Sequence, residues 1–116
     1  MRRALAVAVL LGLSPPALAA DPDPWFGRDK ALHFGATGSL ALVGYGGAAL
    51  KTPEPWTRVA AGATLGLGVG IAKELYDLTG AGDPSWRDLT WDVVGTATGV
   101  LVARAVDYVI HRATGP

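Results

Sequence analysis

The run Val59-Ala60-Ala61-Gly62-Ala63-Thr64-Leu65-Gly66-Leu67-Gly68-Val69-Gly70-Ile71-Ala72 holds 14 uncharged residues, and Gly62, Gly66 and Gly70 recur in it at every fourth position. It is too long for a strand and lacks strict apolar–polar alternation, so it reads as a helix. Glycine inside a helix costs about 1 kcal/mol against alanine in water. A spacing of four puts the three glycines on one face, where they would let a neighbouring backbone approach closely. Such small-xxx-small faces are most favoured in membranes, and a soluble bundle of tightly crossing helices uses them too. Gly95, Gly99 and Ala103 repeat the spacing, and Gly35, Ser39 and Gly47 fall on one face of an earlier segment.

Outward from this run, the chain divides into three apolar blocks at about 30–50, 56–78 and 86–110. Lys51-Thr52-Pro53-Glu54-Pro55 separates the first two and Thr79-Gly80-Ala81-Gly82-Asp83-Pro84 the last two. Proline and glycine at those places stop a helix and make a turn. Short connections make neighbouring helices antiparallel. The expected fold is therefore all-α, a glycine-rich three-helix antiparallel bundle, embedded in or associated with a membrane. The uncharged runs are 17, 14 and 11 residues long, at 34–50, 59–72 and 93–103. Only the first approaches the roughly 17–25 residues of a spanning helix; the others span if Arg58, Lys73 and Arg104 snorkel outwards.

The first residues have the layout of a secretory signal. Met1-Arg2-Arg3 is basic, 4–13 is apolar, Ser14-Pro15-Pro16 breaks the helix, and Ala17-Leu18-Ala19 offers small residues for cleavage. Residues 1–19 are expected to be a signal peptide and 20–116 a single helical domain, with Asp21-Pro22-Asp23-Pro24 as an extended lead-in. Export places the protein in the bacterial cell envelope, at the inner membrane or a periplasm-facing membrane surface. The chain has no cysteine, which rules out disulfides, thiolate metal ligands, a cysteine nucleophile and lipid anchoring through cysteine. Its ten basic and ten acidic side chains cancel, so nucleic acid is not an expected partner. Membrane lipid and an envelope protein are.

Antiparallel packing gathers the ionisable residues at one end of the bundle. Asp29, Lys30 and His33 open the first helix, Lys73, Glu74 and Asp77 close the second, and Ser85, Arg87, Asp88 and Asp92 open the third. Trp25, Trp86 and Trp91 fall at the same end, as an aromatic belt would. Capping accounts for part of this: Asp29 suits an N-cap, and Ser85-Trp86-Arg87-Asp88 has the S-x-x-D form of a capping box. His33, Glu74 and Asp92 lie deeper, and Glu74 opposes the helix dipole at a C-terminus. Three chemistries fit the set. His33, Glu74, Asp88 and Asp92 can ligate a divalent metal; the same groups can serve as general acid and base; or Lys30, Lys73 and Arg87 can close a salt-bridge network with Glu74, Asp88 and Asp92 that binds nothing. No nucleophile elbow, phosphate loop or paired-histidine zinc motif occurs in the sequence. Tyr45 and Tyr76 are expected to pack, and His111 to face a helix C-terminal dipole.

Asp29-Lys30-Ala31-Leu32-His33-Phe34, Gly70-Ile71-Ala72-Lys73-Glu74-Leu75-Tyr76-Asp77 and Ser85-Trp86-Arg87-Asp88-Leu89-Thr90-Trp91-Asp92-Val93-Val94-Gly95 resemble, in this order, the motifs of the YfiM-like family of small bacterial envelope proteins. The resemblance covers essentially the whole mature chain, and a more distant one is to VanZ-like membrane proteins. It implies His33, Lys73, Glu74, Asp77, Asp88 and Asp92 as characteristic polar positions, and it implies no reaction. Members are often predicted lipoproteins, a property the missing cysteine does not allow here. The expectation is an exported, membrane-associated protein whose periplasm-facing polar cluster has a binding or structural role. The alternative is a metal-assisted hydrolase of an envelope lipid or cell-wall precursor.

Overall fold

The computed structural model describes residues 23–115, so the expected signal peptide lies outside the described residues. Three long helices follow one another: α1 (Arg28–Ala49), α2 (Pro55–Tyr76) and α3 (Trp86–Thr114). α1 packs along both of the others, which also touch each other, and the described residues contain no strand. The proline-bearing turns end the helices where expected. Glu54 caps α2, its carboxylate accepting from Trp56 N and Thr57 N at 3.0 Å each. Those donors hold the Glu54 carboxyl below the usual carboxylate range, and Pro55 occupies a first-turn position where its missing N–H has no consequence.

Three boundaries differ from expectation. α3 runs on to Thr114, past its expected end near 110. α1 starts at Arg28 on Gly27, which gives no side-chain cap, so Asp29 lies inside the first turn and its carboxylate is free to face the bundle. α2 gives way after Tyr76 to a π-helical turn, Asp77–Ala81. There Gly80 takes φ 97°, a left-handed conformation that stops the helix and that a side chain would oppose.

The interior is polar and the exterior apolar. Among the described residues the buried hydrophobic side chains are Ala41, Tyr45 and Ala103, whereas Lys30, Thr37, Arg58, Glu74, Asp77, Ser85, Asp88, Asp92 and Thr96 are all buried. Leu50, Val43, Leu101, Val109 and many other large apolar residues face outwards. Small residues at the helix contacts explain this inversion. A Cβ on Gly62 would stand 2.7 Å from the Ala41 carbonyl oxygen, and one on Gly44 would stand 2.6 Å from that of Ala61. Backbones this close leave no room for leucine between them.

The glycine face foreseen for the middle helix is the one that packs, since Gly62, Gly66 and Gly70 are buried, as are Gly95, Gly99 and Ala103. The face foreseen for α1 is not. Gly35 and Gly47 have open space beside them and Ser39 is exposed, while Gly38 and Gly44 meet the neighbouring backbones. α1 is gripped along Thr37, Ala41 and Tyr45; Gly35 and Ser39, two residues off that line, are turned away by about 200°.

Gly99→Ala and Gly35→Ala should therefore move stability in opposite directions. A methyl at 99 would meet Ala41 Cβ at 2.9 Å and the Gly38 carbonyl oxygen closer still, giving a loss of about 1–3 kcal/mol despite better helix propensity. At 35 the methyl meets nothing, and a gain of up to about 1 kcal/mol is expected. Thermal unfolding followed by circular dichroism in detergent compares the two.

Candidate functional site

The charged end of the bundle is assembled around His33, one turn into α1. Its Nδ1 lies 2.9 Å from Asp92 Oδ1, and its Nε2 faces Asp88 Oδ2 at 3.4 Å and Asp29 Oδ1 at 3.9 Å. Asp92 is fully buried and its second oxygen, Oδ2, has no hydrogen-bond partner. Gly70 makes room for it, because a Cβ there would lie 2.7 Å from that oxygen. Small residues on α2 thus let a carboxylate of α3 reach a histidine of α1.

Lys30, also buried, lies beneath the cluster. Its ammonium meets Asp88 Oδ1 at 2.7 Å and Asp29 Oδ2 at 3.4 Å, and it donates to Asp23 Oδ1. Each of Asp29 and Asp88 consequently gives one oxygen to Lys30 and turns the other towards His33. Ser85 caps α3, its hydroxyl accepting from Asp88 N at 3.0 Å. The reciprocal half of the expected capping box is absent: Ser85 N donates to Glu74 Oε2 of α2 at 2.7 Å, which leaves the Asp88 carboxylate free for Lys30 and His33. Glu74 therefore has a structural partner at the end of its helix, although its Oε1 has none.

The described part of the lead-in, from Asp23 to Trp25, folds back over this end, a contact with no signal in its proline-flanked sequence. Ser85 Oγ donates to Asp23 Oδ2 at 2.7 Å, Arg87 donates to the Asp23 carbonyl, and Trp91 Nε1 donates to the Trp25 carbonyl at 2.7 Å. Trp25 meets Trp86 edge-on at 4.7 Å, and Arg87 lies over both rings. Burial works against ionisation of Asp23, but hydrogen bonds from Lys30 and Ser85 outweigh it and hold the carboxyl below its ordinary value.

The predicted residues do not all converge. Asp29, Lys30, His33, Asp88 and Asp92 meet; Glu74 and Ser85 join through the cap; Lys73 and Asp77 pair at 2.7 Å on α2 and its following turn, with the Lys73 side chain half exposed. Of the network expected among Lys30, Lys73, Arg87, Glu74, Asp88 and Asp92, Lys30 pairs directly with Asp88, while Lys73 turns to Asp77 and Glu74 to Ser85 N. Among the described residues, the group within mutual ligand distance is Asp29, His33 and Asp88, with one atom of each inside 4.8 Å of the others. Of the expected metal quartet only His33 and Asp88 belong to it, because Glu74 faces Ser85 and Asp92 lies on the other ring nitrogen. A cavity of about 240 Å³ opens beside the cluster between α1 and α2, with Asp29, His33, Lys73 and Asp92 on its polar side.

A second polar cluster lies at the opposite end. Arg58 Nη1 bonds both oxygens of Asp107 at 2.9 and 2.8 Å, its Nε donates to the Thr52 carbonyl at 2.8 Å, and Tyr45 donates to Asp107 Oδ2. His111 Nδ1 lies 3.0 Å from Asp107 Oδ1. Arg58 is thus turned into the bundle, not snorkelling out of it; Tyr45 is a hydrogen-bond donor besides filling space; and His111 has an acidic partner on its own helix. A positive charge early in α2 and a negative one late in α3 lie at the same depth in an antiparallel bundle, a signal the sequence does carry.

No protein-family model, curated protein or solved structure matches this chain.

Arg58→Ala should lower stability by about 3–5 kcal/mol, as expected when a buried ion pair loses one member, and removing Asp107 as well should recover part of that loss; thermal unfolding of the two variants and the double variant tests this. Because the Asp23 carboxyl is held below its ordinary value of 3.8, its contribution is complete above that pH and is lost as pH falls through the lowered value. An acid titration of Trp25 fluorescence should show the lead-in detaching below the usual carboxylate range, and Asp23→Asn should remove the transition.

Proposed function

We propose that the chain is an exported three-helix component of the bacterial envelope, inserted in a membrane, that presents its charged end to the periplasm as a binding or structural surface. The observation carrying this reading is the inverted distribution of polarity. Buried polar and charged side chains fill the helix contacts while leucine, valine and isoleucine cover the outside. In water, an exterior this apolar needs a partner; in lipid it is the favourable arrangement, with Arg58 paired to Asp107 inside the bundle as a buried charge there must be.

Among the described residues α3 alone is both long and apolar enough to cross a membrane; α1 and α2 match the membrane in length. α1 and α2, at 22 residues each, are about 33 Å long, against a hydrocarbon core of about 30 Å. α3 is 29 residues long with a window of mean hydropathy 1.5, and only 17% of that window is buried inside the bundle. A core helix of a soluble protein would be mostly buried. The tryptophans at the charged end are suited to the headgroup level, with the cluster around His33 next to water. The signal-like first residues and the three YfiM-like motifs support an envelope location, with membrane lipid around the helices and an envelope protein as a candidate partner on the polar face.

Extraction of membranes with alkaline carbonate tests the insertion. The full-length protein should stay in the pellet and be released only by detergent; recovery in the soluble fraction would sink this reading.

A further inference from the structure

The His33 cluster has more acid than its contacts neutralise. Asp29, Asp88 and Asp92 surround one imidazole, and Lys30 reaches only the first two. One ligand atom from each of Asp29, His33 and Asp88 lies within 4.8 Å of the other two, a concentration of negative charge that a cation would offset. The spacing around Nε2 suits one. At 3.4 and 3.9 Å, its approaches to Asp88 and Asp29 are longer than the roughly 2.7–3.2 Å of an N–H···O bond. The Asp88 approach matches the edge of about 3.4 Å between ligands that sit 2.0–2.2 Å from a tetrahedral ion, and Asp29, at 3.9 Å, lies somewhat beyond it.

The remaining contacts point the same way. Asp92, buried and with one oxygen lacking any donor, takes Nδ1, which leaves Nε2 as the ring nitrogen that faces Asp29 and Asp88. This is the carboxylate–histidine arrangement that orients a metal-bound imidazole. Lys30 fixes the far oxygen of each acidic ligand without covering the near one. One nitrogen and two carboxylates suit Zn²⁺ or a similar first-row ion; Ca²⁺ and Mg²⁺ ask for more oxygens.

We propose that Asp29, His33 and Asp88 form a Zn²⁺-class metal site at the charged end of the bundle, with Asp92 as the positioning residue for His33 and with coordination positions left open for water or a ligand. The proposal rests on that end being a binding surface and is independent of insertion in lipid.

Detergent-extracted full-length protein, stripped of metal, is titrated with Co²⁺ and then Zn²⁺. One Co²⁺ per chain is expected, with a visible ligand-field band that Zn²⁺ abolishes and that His33→Gln and Asp88→Asn lack. Asp92→Asn should bind about 10–100-fold more weakly, and His111→Gln should bind as the parent does. In the unsubstituted protein, ¹⁵N spectra should show His33 Nε2 shifting on addition of Zn²⁺ while Nδ1 stays protonated. This readout needs no substituted protein to fold. The absence of saturable Co²⁺ binding by the folded parent chain would overturn the site and leave membrane insertion untouched. Binding that survives His33→Gln, or disappears in His111→Gln, would overturn it equally, and unchanged affinity in Asp92→Asn would remove the positioning role.

Discussion

Backbone-to-backbone contact between small residues is the constraint on which the rest of this molecule depends. Where Gly99 meets Gly38 and Ala41, and Gly62 meets Ala41, the helices come too close for a large apolar side chain to lie between them. Such side chains are left on the outer faces. What fits inside is small or hydrogen-bonded: alanine, threonine, and carboxylates that reach through the gaps the glycines leave, as Asp92 does beside Gly70. Without a conventional apolar core, cohesion comes from the packing of close backbones and from the hydrogen-bonded and ion-paired side chains between them.

Polar clusters close the bundle at both ends, and each takes side chains from all three helices. At one end Lys30 and His33 of α1 meet Asp88 and Asp92 of α3, with Glu74 of α2 tied in through Ser85 N. At the other, Tyr45 of α1 and Arg58 of α2 meet on Asp107 of α3. Smooth glycine faces can slide along one another, whereas buried charges can be satisfied in one register only. The ends thus set what the glycine faces leave free. They differ in chemistry as well. Arg58 and Asp107 form a direct pair of opposite charges, while the His33 end has an excess of carboxylates with spacing suited to an ion.

Much of the architecture is legible in the sequence. Pro53, Pro55 and Pro84 mark the turns, and the i, i+4 glycines of the second and third helices mark their packed faces. α1 is harder because it carries two small-residue sets, and only contact with two neighbours at once selects Gly38, Ala41 and Gly44 over Gly35, Ser39 and Gly47. The gathering of Asp29, Lys30, His33, Asp88 and Asp92 follows from antiparallel order alone. Its internal geometry does not. Which residue takes Ser85 N decides where the Asp88 carboxylate points, and that donor goes to Glu74, eleven positions earlier. Arg58 and Asp107 are 49 positions apart, so their pairing emerges only when depths along facing helices are compared. Asp23 is hidden for a different reason: a proline-flanked lead-in gives no periodic signal to show where it docks.

The proposed insertion requires lipid to cover the outward leucine and valine side chains. Because the chain lacks cysteine, single cysteines can be placed at Leu101, Val102 and Val109, on the outer face of α3, and spin-labelled in reconstituted vesicles. Labels at Leu101 and Val102 should collide readily with oxygen, which concentrates in lipid, and scarcely with a water-soluble nickel chelate, the contrast weakening towards Val109 and the helix end. Preferential collision with the chelate at all three positions would place that face in water and contradict the account.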